Sequence, residues 1–136
     1  MGIWQGRSRR KPTGGRLRPN RKKRRFEIAR EIQFPTLGTP SVKLYRVRGG
    51  NTKVRILAAN KVNVYDPTSK TTKVANATTV SRNEANPNYV QRNIISKGAV
   101  IETDLGPVRI VSRPGQHGVL NGILLPKAAQ EPHPNA

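Results

Sequence analysis

From Val42 onward the apolar residues come in short runs rich in Val, Ile, Thr and Tyr, broken by Gly, Pro, Asn or Asp at intervals of about ten residues. This rhythm predicts strands near 42–48, 53–59, 61–66, 71–80, 89–95, 99–104, 107–113 and 119–125. No helical period separates them, so a parallel βαβ sheet is excluded and the short connections predict antiparallel hairpins. One apolar face per strand is buried most simply by curling the sheet on itself. The expected fold class is therefore all-β, a small twisted antiparallel β-barrel over 34–126 with a basic, extended N-terminal arm over 1–33 and a C-terminal tail over 127–136. Helix-friendly composition occurs only between Arg25 and Phe34, before Pro35, and is compatible with one short helix near 25–33. The cationic run ahead of it opposes the positive end of the helix dipole. Phe26, Ile28, Ile32 and Phe34 read as anchors of the arm.

Two hairpins can be read in detail. Gly49-Gly50 is a dipeptide that tolerates the positive φ angles of a two-residue primed turn. Pairing outward from it sets Arg48 opposite Asn51, Arg46 opposite Lys53, Leu44 opposite Arg55 and Val42 opposite Leu57 on one face. Val47, Thr52, Tyr45, Val54 and Ile56 fall on the other, which is expected to be core. Like charges facing each other across strands cost on the order of a few tenths of a kcal/mol per pair. A solvated face would intersperse carboxylates, and residues 32–65 contain none, so this cationic face is assigned to binding. A second turn at Leu105-Gly106 places Glu102 opposite Arg109, Ile101 opposite Ile110 and Thr103 opposite Val108.

Charge changes the picture most in the N-terminal quarter. The chain holds 26 Lys and Arg against 7 Asp and Glu, a net charge of +19 over 136 residues. Eleven of these cations (Arg7, Arg9, Arg10, Lys11, Arg16, Arg18, Arg21, Lys22, Lys23, Arg24 and Arg25) lie in the first 26 residues, with no carboxylate among them. Such a segment has no apolar periodicity to set against the entropy of ordering, and is expected to stay extended until a polyanion orders it. Fully extended, it reaches roughly 85 to 95 Å. Counterion release from a dense anion drives association of such a chain, and nucleic acid leads. No apolar run approaches the ~18 residues of a membrane span, and no basic amphipathic helix with a broad apolar face is visible. With no cysteine, disulfides, thiolate zinc sites and Cys nucleophiles are excluded. No apolar signal segment is seen, and Gly6 stands where a myristoylation motif wants Ser or Thr, so no processing is expected. The run at 21–25 also has the composition of a nuclear address, and reads better as phosphate-binding.

Catalytic signatures are weak. Glu102 and Asp104 share a strand face at i and i+2, a spacing at which two acids can hold a divalent ion, but Glu102 has a cross-strand cation in this reading and Asp104 suits a turn. His117, in Gly115-Gln116-His117-Gly118, and His133 have no nucleophile or acid placed beside them by a local pattern. His117, beside Arg113, reads as an RNA contact or an ordinary loop residue. The segment from Arg48 to Lys53 lacks phosphate-loop spacing. No catalytic residue, metal site, cofactor or small-molecule substrate is assigned.

Absent zinc ligands, helix-turn-helix pattern and RNP1 motif, together with 4% aromatic content, argue against base stacking as the main mode. Arginine with glycine suits folded RNA, where guanidinium forks bridge phosphates and glycine lets backbones approach. The order of Trp4-Gln5-Gly6-Arg7-Ser8, Lys11-Pro12-Thr13-Gly14-Gly15, the basic run 21–25 and Arg46-Val47-Arg48-Gly49-Gly50-Asn51-Thr52-Lys53 is informative. With Gly98 to Gly106 and Ser112-Arg113-Pro114-Gly115-Gln116, it resembles the small-subunit ribosomal protein number eight family of eukaryotes and archaea, in its compact archaeal form. The resemblance covers nearly the whole chain. It implies a β-barrel-like domain with a basic extension on small-subunit ribosomal RNA, neighbouring ribosomal proteins as partners, a place in the cytoplasmic ribosome, and no catalysis. RNA contacts are then expected from Trp4, the eleven arm cations, Gly14, Gly15, Arg46, Arg48, Gly49, Gly50, Asn51, Lys53, Arg55, Arg113 and His117. A ribosome-assembly factor, a chromatin-type DNA binder, and a metal-dependent RNA-processing enzyme using Glu102, Asp104 and His117 remain as alternative readings.

Overall fold

The structure, a computed structural model, describes residues 2–126; His133 and the tail over 127–136 lie outside them. The chain divides into two compact units, one through Ile32 and one from Gln33. In the first, strand β1 (Ile3–Trp4) pairs antiparallel with β2 (Ile28–Ala29). The helix compatible with 25–33 does not form. Arg25–Glu27 makes one 3-10 turn and Ile28 is already extended, because main-chain pairing with β1 satisfies the groups that a helix would have used.

The second unit begins with β3 (Thr36–Leu37), β4 (Ser41–Arg46) and β5 (Thr52–Ala59), a three-stranded sheet in the order β3-β5-β4. It continues with β6 (Lys61–Asp66), β7 (Thr71–Arg82), helical turn α1 (Asn88–Gln91), β8 (Val100–Thr103), β9 (Gly106–Ile110), helical turn α2 (Pro114–His117) and β10 (Asn121–Leu124). Strands β6 to β10 form a closed five-stranded barrel. Its pairs are antiparallel except the closing one, in which β10 lies parallel to β6. The all-β barrel expected from the sequence is thus present, with one parallel seam.

Alternation along β6 buries Val62 and Val64 while Lys61, Asn63 and Tyr65 stay exposed. On β7 the inward parity changes from Ala75 to Val80, and the register to β8 shifts between Ala77 and Thr79. A bulge of this kind inserts one residue and bends the long strand around the barrel. Ile101, Val108, Ile110 and Leu120 complete the interior, with Ile56 of β5 and Ile95 packed on it. Gly122 faces Val64 and Ile110 across its two neighbouring strands. A Cβ there would sit 3.0 Å from the Arg109 carbonyl and inside the Val108 side chain, so β10 lies this close to β9 only with glycine at 122.

The segment expected as a strand over 89–95 is instead α1 followed by consecutive buried residues Ile94 and Ile95. Two adjacent buried side chains defeat period-two alternation. The Asn86 side chain, accepting from Asn88 N at 3.0 Å, starts the turn.

Both hairpins take a different register from the one read in the sequence. Between β4 and β5 the loop is three residues, Arg48 to Gly50, with both glycines at positive φ. Val47 N donates to Asn51 O at 2.7 Å to close it. The pairs are Arg46↔Thr52, Tyr45↔Lys53, Leu44↔Val54 and Lys43↔Arg55. One added loop residue moves β4 by one position and exchanges its faces. Between β8 and β9 the turn is Asp104-Leu105, pairing Glu102 with Pro107 and Val100 with Arg109. This shift of two preserves the faces but removes Arg109 from the position opposite Glu102.

Candidate nucleic-acid interface

The cations of the first unit are held by local structure. Leu17 N donates to Arg9 O and Lys11 N to Gly15 O, both at 2.8 Å, with an Arg10↔Arg16 bridge between them. Gly14 N returns to Lys11 O at 2.9 Å, a tight turn with Pro12 at its second position, where its fixed φ is suited. Gly14 follows at φ +85, a conformation that glycine adopts without penalty. Arg10 donates to the Gly14 carbonyl at 2.9 Å, leaving Arg9, Arg10, Lys11, Arg16 and Arg18 exposed on one small hairpin. The arm expected to be extended is therefore locally folded over this stretch.

Trp4 is half-buried. Its indole N–H donates to Arg7 O at 2.8 Å, and the Arg9 guanidinium lies 5.0 Å from the ring centroid, a cation–π contact. Gly6 sits against the indole, where a Cβ would approach Cζ2 to 2.5 Å. The basic run 21–25 is exposed and ends at Glu27. The Glu27 carboxylate accepts from both terminal nitrogens of Arg21, at 2.6 and 3.2 Å, and from Arg24 N at 2.9 Å. The Arg24 amide, then the Arg21 guanidinium, lower the Glu27 pKa from its ordinary value. Arg21 also lies over Phe26 at 5.9 Å, and Phe26 itself is exposed. Ile28 packs on Gly2, and Ile32 is exposed. Phe34, in the second unit, meets Tyr89 at 5.6 Å.

In the second unit the β4–β5 register gathers Lys43, Tyr45, Lys53 and Arg55 on one face. The Arg55 guanidinium lies 4.9 Å and the Lys43 ammonium 5.6 Å from the Tyr45 ring centroid. Arg46 belongs to the opposite face, with Val42, Leu44, Thr52 and Val54. The two-residue turn expected from the sequence would put Arg46 with Lys53 and Arg55, and Tyr45 in the core. Tyr45 and Lys43 come to lie beside Lys53 and Arg55 because the loop has three residues, and Gly49-Gly50 alone does not distinguish that loop from a two-residue turn. Arg48, Gly49, Gly50 and Asn51 form the exposed tip.

Arg113 and His117 flank α2. Arg113 N donates to His117 Nδ1 at 3.2 Å, so one imidazole nitrogen is engaged in the turn, while both side chains are exposed. Gly118 ends α2 at φ +76 and packs on the Val54 carbonyl, which ties the turn to β5. Asp104 accepts from Asn76 N at 3.3 Å and Asn76 Nδ2 at 3.0 Å, which ties the β8–β9 turn to β7 rather than closing the turn on itself. Among the described residues no group of three or more His, Asp or Glu could hold a metal ion, so Glu102, Asp104 and His117 do not form the cluster considered above. No helix among the described residues is long and apolar enough to cross a membrane.

Fold and surface define a small, strongly basic β-barrel protein. Residues 4–125 match the family model described as ribosomal protein S8e. A small ribosomal subunit protein eS8 from Picrophilus torridus is 51% identical over 125 residues, covering 92% of this chain and all of the relative. The proteins of that name from Methanocorpusculum labreanum and Methanobrevibacter smithii are 50% and 48% identical, over 90% and 92% of this chain and 98% and 100% of their own. The chain belongs to the ribosomal protein S8e family, in its compact archaeal form.

Proposed function

We propose that this chain is a structural constituent of the small ribosomal subunit in the cytoplasm, and that it binds and stabilises folded small-subunit ribosomal RNA through its basic N-terminal unit and the cationic face of the β4–β5 hairpin. Family membership gives the coarser part, a structural, non-enzymatic role in the ribosome with ribosomal RNA and proteins as partners. The observation that carries the finer part is the placement of cations on pre-shaped backbone: the Arg9–Leu17 hairpin, the arch ending at Glu27, and Lys43, Tyr45 and Arg55 side by side. Charges fixed in this way suit phosphates whose positions are themselves fixed by RNA tertiary structure. Recognition is then of backbone and shape, with the tip residues Arg48 to Asn51 and the Arg113–His117 turn as further contacts.

The test is sedimentation of the tagged protein from its own cell extract, with and without a high-salt wash, probing each fraction for the protein and for small-subunit RNA. Co-migration with mature small subunits and translating ribosomes is expected. Restriction to precursor particles would replace this reading with an assembly factor, and migration with DNA or at the top of the gradient would end it.

A further inference from the structure

Glu27 is the first carboxylate in the chain, after eleven cations. By charge alone it should weaken any contact between this unit and a polyanion. Its geometry is that of an organiser. Its side chain is 14% exposed against 45% for Arg21, and both of its oxygens are used. Oε1 accepts from Arg21 at 2.6 Å, while Oε2 accepts from Arg21 at 3.2 Å and from Arg24 N at 2.9 Å. Its carbonyl accepts from Gln5 N at 2.8 Å, and the next residue opens β2 opposite Trp4. Side chain and main chain of one residue thus close the segment 21–27 into an arch and fasten it to β1. Lys22, Lys23, Arg24 and Arg25 are left exposed on its outside.

We propose that Glu27 is a positioning residue that pre-forms the basic arch 21–25 and makes it selective for folded RNA over a generic polyanion. This rests on the RNA-binding reading above. Two opposing effects decide the outcome. The carboxylate repels phosphate, and it removes conformational freedom from the arch before binding, so that less ordering remains to be done on the RNA. A flexible polyanion adapts to whatever the arch does, so for it the repulsion dominates. A folded RNA presents phosphates at fixed places, so for it pre-ordering dominates.

The experiment compares full-length wild type, Glu27→Gln and Glu27→Ala for binding to folded small-subunit ribosomal RNA and to heparin at one salt concentration, with circular dichroism confirming that the barrel's β signal is unchanged. Both variants gain net positive charge. The expected result is opposite signs: heparin binding equal or tighter, and ribosomal RNA binding weaker by about tenfold for Glu27→Ala, which corresponds to about 1.4 kcal/mol, with Glu27→Gln between it and wild type. Tighter binding of both ligands would show that Glu27 is only a misplaced charge and would overturn the inference while leaving RNA binding intact. A wild type that does not prefer ribosomal RNA to heparin would overturn the RNA-binding reading and this inference with it.

Discussion

Single atoms decide several positions. At Gly122 there is no room for a Cβ between Val108 and the Arg109 carbonyl, so Gly122→Ala should destabilise the barrel by about 1–3 kcal/mol, as overpacking does. Chemical denaturation checks this, and an unchanged midpoint would mean that the β9–β10 pair yields. Ile101 is wholly buried among the strands, and its truncation to Ala should cost about 2–5 kcal/mol. At two carboxylates the effect is electrostatic. Asp66 accepts from the Ser69 hydroxyl at 2.8 Å and from Thr68 N at 2.9 Å. These bonds, the hydroxyl first, lower its pKa from the ordinary 3.8, while the Arg24 amide and the Arg21 guanidinium lower that of Glu27 from 4.5. A carboxylate depressed in the folded state stabilises the fold above its unfolded pKa and stops doing so as pH falls through the folded value. Both turns should therefore hold at neutral pH and weaken only below 4.5 at Glu27 and below 3.8 at Asp66. Carbon-detected NMR titration measures this directly, and midpoints at or above those values would contradict it.

At the scale of elements, the β4–β5 hairpin shows how one residue of loop reassigns a surface. With three loop residues, Tyr45 turns toward Lys43, Lys53 and Arg55 rather than into the core. Exposed cation–π contacts are worth about 0.5–1 kcal/mol each. Tyr45→Ala, which loses two of them, should lower the stability of the fold by about 1–2 kcal/mol and, because Lys43 and Arg55 are then no longer held side by side, should weaken ribosomal RNA binding as well. A loss of stability without a loss of affinity would return Tyr45 to the structural role that the two-residue turn implied. The same hairpin shows what the sequence makes legible. Strands β6 and β7 could be read because Val62 and Val64 alternate with polar residues and the turn at Asp66 is strongly signalled. Registers could not be read, because Gly49-Gly50 suits a two-residue and a three-residue loop alike and the faces depend on which forms. Residues 89–95 do not reveal their structure in the sequence because Ile94 and Ile95 are both buried, a pattern without period. The fold of the basic unit left no apolar trace, since hydrogen bonds to Gly14 and Glu27 and the Arg9–Trp4 contact maintain it. The cations themselves were plain from composition; their arrangement was not.

For the whole molecule, charge and architecture are divided differently. Eleven of the 26 cations belong to the first 26 residues, whereas the closed barrel and all of its buried interior belong to the unit that starts at Gln33. Because hydrophobic burial supplies most of the driving force for folding, removal of residues 1–32 should leave the β circular-dichroism signal and a cooperative unfolding transition. The same deletion should weaken ribosomal RNA binding severely. Counterion release makes the comparison quantitative: if about six to ten phosphates are neutralised on a duplex-like site, affinity falls by roughly 10³ to 10⁵ between 50 and 200 mM salt. The truncated protein, left with the β4–β5 cations and those around Arg113, should show a distinctly shallower slope of log affinity against log salt. Measuring both slopes on the same RNA separates the contributions. Equal slopes would place the phosphate contacts on the barrel and leave the N-terminal unit without the role proposed for it. Loss of the β signal on truncation would mean that the barrel depends on the first 32 residues to fold, and the division between charge and core would not hold.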